Sequence, residues 1–212
     1  MKSFDYSSIK NYRTYAILAP IARFVIRIIY RLKIAGTENI PTEGGFILAC
    51  NHVTAIDPVI LATGKSRPVH FMSKYELFQN PVVCWFLTRL NAFPIIRGSS
   101  DKTSVYYAIR IVKEDGILGI FPEGTRSKGG KPIAPKSGVA LIARAAKADV
   151  LPVSIYSEDN SKLFTKLTVR FGKIIPFEEL GITDSGKSRE LKDASRLIMH
   201  RITELWEEGH AD

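Results

Sequence analysis

Five short apolar runs recur through the middle of the chain: FILAC (Phe46–Cys50), VHFMS (Val69–Ser73), AFPII (Ala92–Ile96), ILGIF (Ile117–Phe121) and VLPVSIY (Val150–Tyr156). A stretch with helical signals separates each from the next. Runs that are apolar throughout, rather than at alternate positions, suit strands buried on both faces. Strand and helix in strict alternation then predict an α/β domain with a largely parallel central sheet flanked by helices.

The intervening stretches carry their own stop and start signals. PVILATG opens on a proline suited to a first helical turn and ends at Gly64, and Asn80 precedes Pro81 as a candidate cap for NPVVCWFLTRL. Ser100–Gly116 begins with capping residues, ends in glycine and places Val105, Ala108, Ile109 and Val112 on one face. SGVALIARAAKA reads as a further helix, LTVRFG as a strand, and the last helix carries Leu191, Ile198, Ile202 and Leu205 on its apolar face. With 212 residues, the chain suits one domain with an ample core. Cys50 and Cys84 lie in apolar contexts without metal-ligand spacing, so both read as buried free thiols of a reducing compartment.

The net charge of +9 is unevenly placed: residues 1–33 hold seven Lys and Arg against one acid, Asp5. Within Tyr12–Leu32, Arg23, Arg27 and Arg31 recur every fourth residue, and Ile17, Leu18, Ile21, Val25, Ile28, Ile29 and Leu32 fill most of the remainder. Nine uncharged residues between Arg13 and Arg23 fall far short of the roughly 20 needed to span a bilayer. Arginines inside the apolar region also argue against a cleaved leader. Pro20 predicts a break into two shorter helices. Two seats fit a basic amphipathic segment: an anionic membrane surface, or the protein's own core with the arginines solvated. No nucleic-acid recognition motif accompanies the charge.

The informative polar residues fall just beyond the predicted strands, where open α/β sheets bind ligands. FILAC leads into NHVTAID, giving His52 and Asp57. Five residues of continuous helix would turn the two apart, so they meet only if His52 lies in a turn and Asp57 begins the next helix. Asp57 would then hold one imidazole nitrogen and leave the other free to take a proton, or serve merely as a helix cap. Lys74, Arg97 and Arg126 follow successive strands, and FPEGTRS adds Glu123, Gly124 and Thr125. Guanidinium and ammonium groups suit phosphate, and Gly124 would let backbone N–H groups turn toward an anion.

These blocks, over roughly residues 35 to 155 and in order, resemble the glycerolipid acyltransferase family, and most closely its bacterial 1-acylglycerol-3-phosphate acyltransferases. NHVTAID is similar to the family's N-H-x4-D block, NAFPIIRG to its second, FPEGTRS to its third and VLPVSI to its fourth; MSKYELF looks like its lysine-bearing segment. Asn91 stands where the second block has glycine, and Asn tolerates left-handed backbone well enough for the turn to survive.

The resemblance implies a single acyltransferase domain over residues 34–212, preceded by membrane-docking helices over 1–33. It implies transfer of a fatty acyl group from an acyl-CoA or acyl carrier protein thioester to the sn-2 hydroxyl of lysophosphatidate, making phosphatidate. His52 would be the general base, oriented by Asp57, with the phosphate held by Lys74, Arg97 and Arg126. Glu123 and Thr125 would either bind glycerol oxygens or brace the loop. It implies neither metal nor cofactor, and a peripheral or monotopic seat on the cytoplasmic face of an anionic membrane. Glycerol 3-phosphate or another lyso-lipid satisfies the same motifs as acceptor. A noncatalytic membrane-binding module is the alternative of another class.

Overall fold

The computed structural model describes residues 4–9, 13–62, 67–96, 101–158 and 164–211. In chain order the elements are α1 (Arg13–Ile29), β1 (Arg31–Ala35), β2 (Phe46–Cys50), α2 (Asp57–Ala62), β3 (Val69–Lys74), α3 (Pro81–Arg89), β4 (Ala92–Ile95), α4 (Lys102–Lys113), β5 (Ile117–Ile120), α5 (Gly138–Ala146), β6 (Val150–Tyr156), β7 (Lys166–Phe171) and α6 (Ser188–Glu207). The strands form one sheet in the order β1-β7-β6-β2-β5-β3-β4. Every neighbouring pair is parallel except β6 with β7. The five strands read from sequence as apolar runs therefore form the parallel body, and β1 and β7 run against it at one edge.

β2 shows why those runs are apolar throughout. Ile47 and Ala49 enter the core beneath α4, α5 and α6, while Phe46, Leu48 and Cys50 enter the opposite core beneath α1 and α2. All five residues are buried. The sheet is thus covered on both faces, as a parallel body requires. Caps fall where the sequence places them: the Asn80 side chain accepts from the amides of Val82 and Val83, and that of Asp101 from Ser104. The buried face of α4 is rotated slightly from expectation, centring on Ser104, Tyr107, Ala108, Ile111 and Val112. Cys84 is half-buried rather than buried.

The N-terminal segment departs most from the sequence reading. Pro20 lies inside one helix rather than between two. Proline removes the bond to the carbonyl of Ala16, and both residues are exposed, so water can satisfy that oxygen. The helix ends at Ile29, and Arg31 already belongs to β1, so Arg31 leaves the arginine row and the expected boundary at 33/34 falls inside a strand. Upstream, Phe4 and Tyr6 pack edge-to-face on Tyr107, and the Tyr6 hydroxyl donates to the carbonyl of Pro94 at 2.9 Å. That part of residues 1–33 is built into the core. In α1, Tyr15, Ala19 and Ile26 are buried, while Ile17, Ile21, Phe24 and Ile28 are more than half exposed. At 100° per residue those two sets lie on opposite sides of the helix. Among the described residues no helix is long and apolar enough to cross a membrane.

Candidate active site

Strand pairing brings the polar blocks together. β2 lies beside β5 with Ala49 opposite Ile120, β5 beside β3, and β3 beside β4 with Lys74 opposite Ile95. The chain therefore leaves β2, β5, β3 and β4 at adjacent points on one edge. The two central loops are then tied directly, because the amide of Ser127 donates to the His52 carbonyl at 2.7 Å.

His52 sits in the turn after β2 and Asp57 opens α2, the one arrangement in which this spacing converges. His52 Nδ1 lies 2.8 Å from Asp57 Oδ2. Asp57 is fully buried, and Oδ2 also accepts from the amides of Val53 and Thr54, while Oδ1 accepts from the Thr54 hydroxyl at 2.5 Å. Those amides precede Asp57 in the chain, so the carboxylate is not acting as the cap of its own helix. With those three donors on it, the carboxylate serves as acceptor to the ring as well, which places the ring N–H at Nδ1 and leaves a lone pair at Nε2. The His52 side chain is only 12% exposed, and its ring stacks on Phe121 with centroids 4.0 Å apart. Phe121 is backed in turn by Phe71. The Phe71 ring lies over Gly119, where any Cβ would come within 2.2 Å of it. Packing thus fixes the imidazole from below while the carboxylate fixes it from the side.

Glu123 is 1% exposed, and its Oε1 accepts from the His52 amide at 3.2 Å. Burial favours bracing over contact with a glycerol oxygen. Burial also pushes its pKa up to about 7; the Asp57 charge adds to the rise, and the amides of His52 and Ile133 oppose it. From about pH 4.5 to about 7, the folded chain keeps a proton that the unfolded chain has released, so stability falls as pH rises through that window. The loss is of order 3 kcal/mol. Glu123→Gln keeps an acceptor for the His52 amide and is expected to flatten this dependence. Denaturant midpoints at about pH 5 and about pH 8 check it: the native chain should lose more stability than the variant across that interval.

The remaining predicted residues are partly assembled. Gly124 adopts φ 66, in the left-handed region its position requires, and Thr125 and Arg126 beyond it are exposed. Lys74 ends β3 and pairs with Glu76 at 3.1 Å, with both side chains about half exposed, so solvent competes with the pair and an anion can displace it. Arg97 lies outside the described residues. Asn91 holds the left-handed turn at φ 58, but it precedes β4 and so stands at the other end of the strand from the loops of His52 and Glu123.

One cation was not legible in the spacing. The loop after Ser127 folds back so that the Lys136 amide donates to the Pro122 carbonyl at 2.8 Å, and its side chain runs over Gly124. A Cβ at Gly124 would meet Lys136 Cδ at 3.0 Å. Lys136 borders an otherwise apolar cavity of about 360 Å³, whose walls include Met72, Ile96, Phe121 and Ile142. The cavity therefore opens beside the ring on which His52 stacks. Cys50 is fully buried, and desolvation pushes its thiol well above the usual range, so it is no nucleophile. Among the described residues no group of three or more His, Cys, Asp or Glu is placed to hold a metal ion.

A family model described as Acyltransferase matches residues 31–156. The chain is 32% identical over 176 residues to the 1-acyl-sn-glycerol-3-phosphate acyltransferase of Bacillus subtilis, covering 82% of this chain and 87% of that one. It is 36% identical over 121 residues to the enzyme of the same name from Streptococcus pneumoniae, covering 56% of this chain but 44% of the other. The crystal structure of the 1-acyl-sn-glycerophosphate (LPA) acyltransferase PlsC from Thermotoga maritima superimposes with a TM-score of 0.74 at 23% identity, over 93% of this chain and 81% of that chain. That last likeness bears on the fold.

Proposed function

The chain belongs to the acyltransferase family, and from that premise we propose that it acylates the sn-2 hydroxyl of 1-acylglycerol 3-phosphate to make phosphatidate. The observation that carries the mechanism is the His52–Asp57 pair at the end of β2, with no hydrogen bond to Nε2 among the described residues. The acceptor hydroxyl gives its proton to Nε2 as its oxygen attacks the thioester carbonyl. The new C–O bond forms, the C–S bond breaks, and the departing thiolate takes the proton back from the imidazolium. Asp57 stabilises that imidazolium. No acyl-enzyme is required, and the thioester of coenzyme A or acyl carrier protein is a co-substrate rather than a cofactor. The apolar cavity beside Phe121 receives the acyl chain.

Arg126, Lys74 and Arg97 hold the acceptor's phosphate, with Lys136 as a further cation above Gly124. Arg126→Ala is expected to lower acceptor kcat/KM roughly 10–100-fold, the loss of one charged hydrogen bond, with Lys recovering part. Steady-state kinetics with varied acceptor check this; unchanged efficiency removes Arg126 from the clamp. The wider reading is tested with purified protein and four substrate pairs, lysophosphatidate or glycerol 3-phosphate against acyl-CoA or acyl carrier protein. Turnover of glycerol 3-phosphate in preference to lysophosphatidate would overturn it.

The lipid acceptor gives a role to the exposed side of α1, which docks on the cytoplasmic face of an anionic membrane with Arg27 beside it. Ile21→Ser with Phe24→Ser is expected to weaken co-sedimentation with phosphatidylglycerol vesicles on the order of 10–100-fold. Undiminished sedimentation would remove α1 as an anchor.

A further inference from the structure

α3 poses a problem of burial. Its sequence, PVVCWFLTR, is apolar except at its last two residues, yet none of its side chains is fully buried. Val82 is 75% exposed, Trp85 55% and Phe86 45%. The turn before it adds Tyr75 and Leu77, and Ile96 beyond β4 is half exposed. A helix that is apolar nearly all round needs cover, and an exposed set this large marks an interaction surface.

Its place in the fold selects the cover. The chain reaches α3 directly from Lys74, at the end of β3, on the same side of the sheet as His52. α3 leads into β4 at one sheet edge, whereas α1 leads into β1 at the other. Six strand spacings, about 29 Å, separate those edges. α1 itself packs on α2 and β1, so its exposed apolar face is separate from that of α3. Among the described residues, charges beside α3 include Lys74, its partner Glu76, and Arg89, whose guanidinium lies 5.4 Å from the centre of the Trp85 ring. Arginine beside tryptophan suits the depth of lipid headgroups, where the ring enters the acyl boundary and the cation meets phosphate. Two of these three charges are cationic, which favours an anionic surface over a second copy of the same face.

We infer that α3 and the turn before it form a second bilayer-contact element, so that the protein rests on an anionic phospholipid leaflet through α3 as well as through α1. This rests on the acceptor being a membrane lipid.

The chain holds two tryptophans, Trp85 and Trp206. Trp206→Phe leaves Trp85 as the only indole, and Phe can keep the edge packing on Tyr156. With vesicles of phosphatidylglycerol and phosphatidylcholine in equal parts, Trp85 emission is expected to shift to the blue, and brominated acyl chains should quench it. In the otherwise native chain, Val82→Ser with Phe86→Ser should weaken vesicle affinity at least about tenfold, about 1.4 kcal/mol. Turnover of a short-chain soluble acceptor should stay near native. Bound protein whose Trp85 emission stays water-like and unquenched overturns the inference while leaving docking through α1 intact. Protein that does not sediment with vesicles overturns both. A blue shift that follows protein concentration without lipid, with a doubled mass, assigns the face to a second copy and overturns the inference as well.

Discussion

His52→Ala is expected to lower kcat by about 10²–10⁴-fold, with the KM for acceptor changed only a few-fold. The range is that of a positioned general base. The split follows from geometry: in the proposed mechanism Nε2 takes the hydroxyl proton, whereas the proposed phosphate ligands among the described residues, Lys74, Arg126 and Lys136, stand at the end of β3 and in the loop after β5. The fold should survive the change. Asp57 keeps three of its four donors, those of Val53 and Thr54, and the ring removed is partly exposed and sits in a loop. Single-turnover kinetics with the folded variant, checked by circular dichroism, measure the chemical step apart from product release. A variant within about tenfold of native turnover would end the general-base assignment.

Asp57→Asn is the second large effect, and it separates charge from geometry. Oδ2 must accept three bonds, from His52, Val53 and Thr54, whereas Oδ1 meets only the Thr54 hydroxyl. An asparagine would place its oxygen toward the three donors and its NH₂ toward that hydroxyl, which can turn to accept. The imidazole tautomer is then retained, but the charge facing the imidazolium is gone. kcat should fall roughly 10²–10⁴-fold, with stability reduced by no more than about 1–3 kcal/mol. Thr54→Val is the control: it removes the Oδ1 bond and keeps the charge, so its kcat should stay within about tenfold of native. If Asp57→Asn behaved like Thr54→Val, the carboxylate would be a structural brace and nothing more.

The parallel body of the sheet was legible because its strands are apolar on both faces and their ends carry caps and turn residues at fixed offsets. β1 was not. Its sequence, RLKIA, alternates as an edge strand should, but Leu32 continues the apolar pattern of α1, and the partner strand lies far along the chain. The single helix across Pro20 was hidden for a local reason: proline predicts a lost bond, and only the fold shows that the freed carbonyl of Ala16 faces outward. At the site, His52 and Asp57 were placed by spacing, since only one backbone path brings them together. Lys136 was invisible to spacing, because a loop folding back on Pro122 delivers it to Gly124. The exposure of α3 belongs to the same class. Sequence shows that the helix is apolar, but only packing shows which apolar side chains lack neighbours.

The pairing of β1 with β7 also imposes an order in time. Arg31 aligns with Lys166, so during synthesis β1 waits for about 135 further residues before it can join the sheet. At about 5–20 residues per second that wait lasts roughly 7–27 s. Throughout it α1 is already made, with its apolar stripe unshielded, while the strand that anchors its C-terminal end has no partner. Long-range closure of this kind slows folding and leaves apolar surface open to association. On the proposed docking, a nascent chain meets the bilayer through α1 while the sheet is still open, and the sheet closes there afterwards.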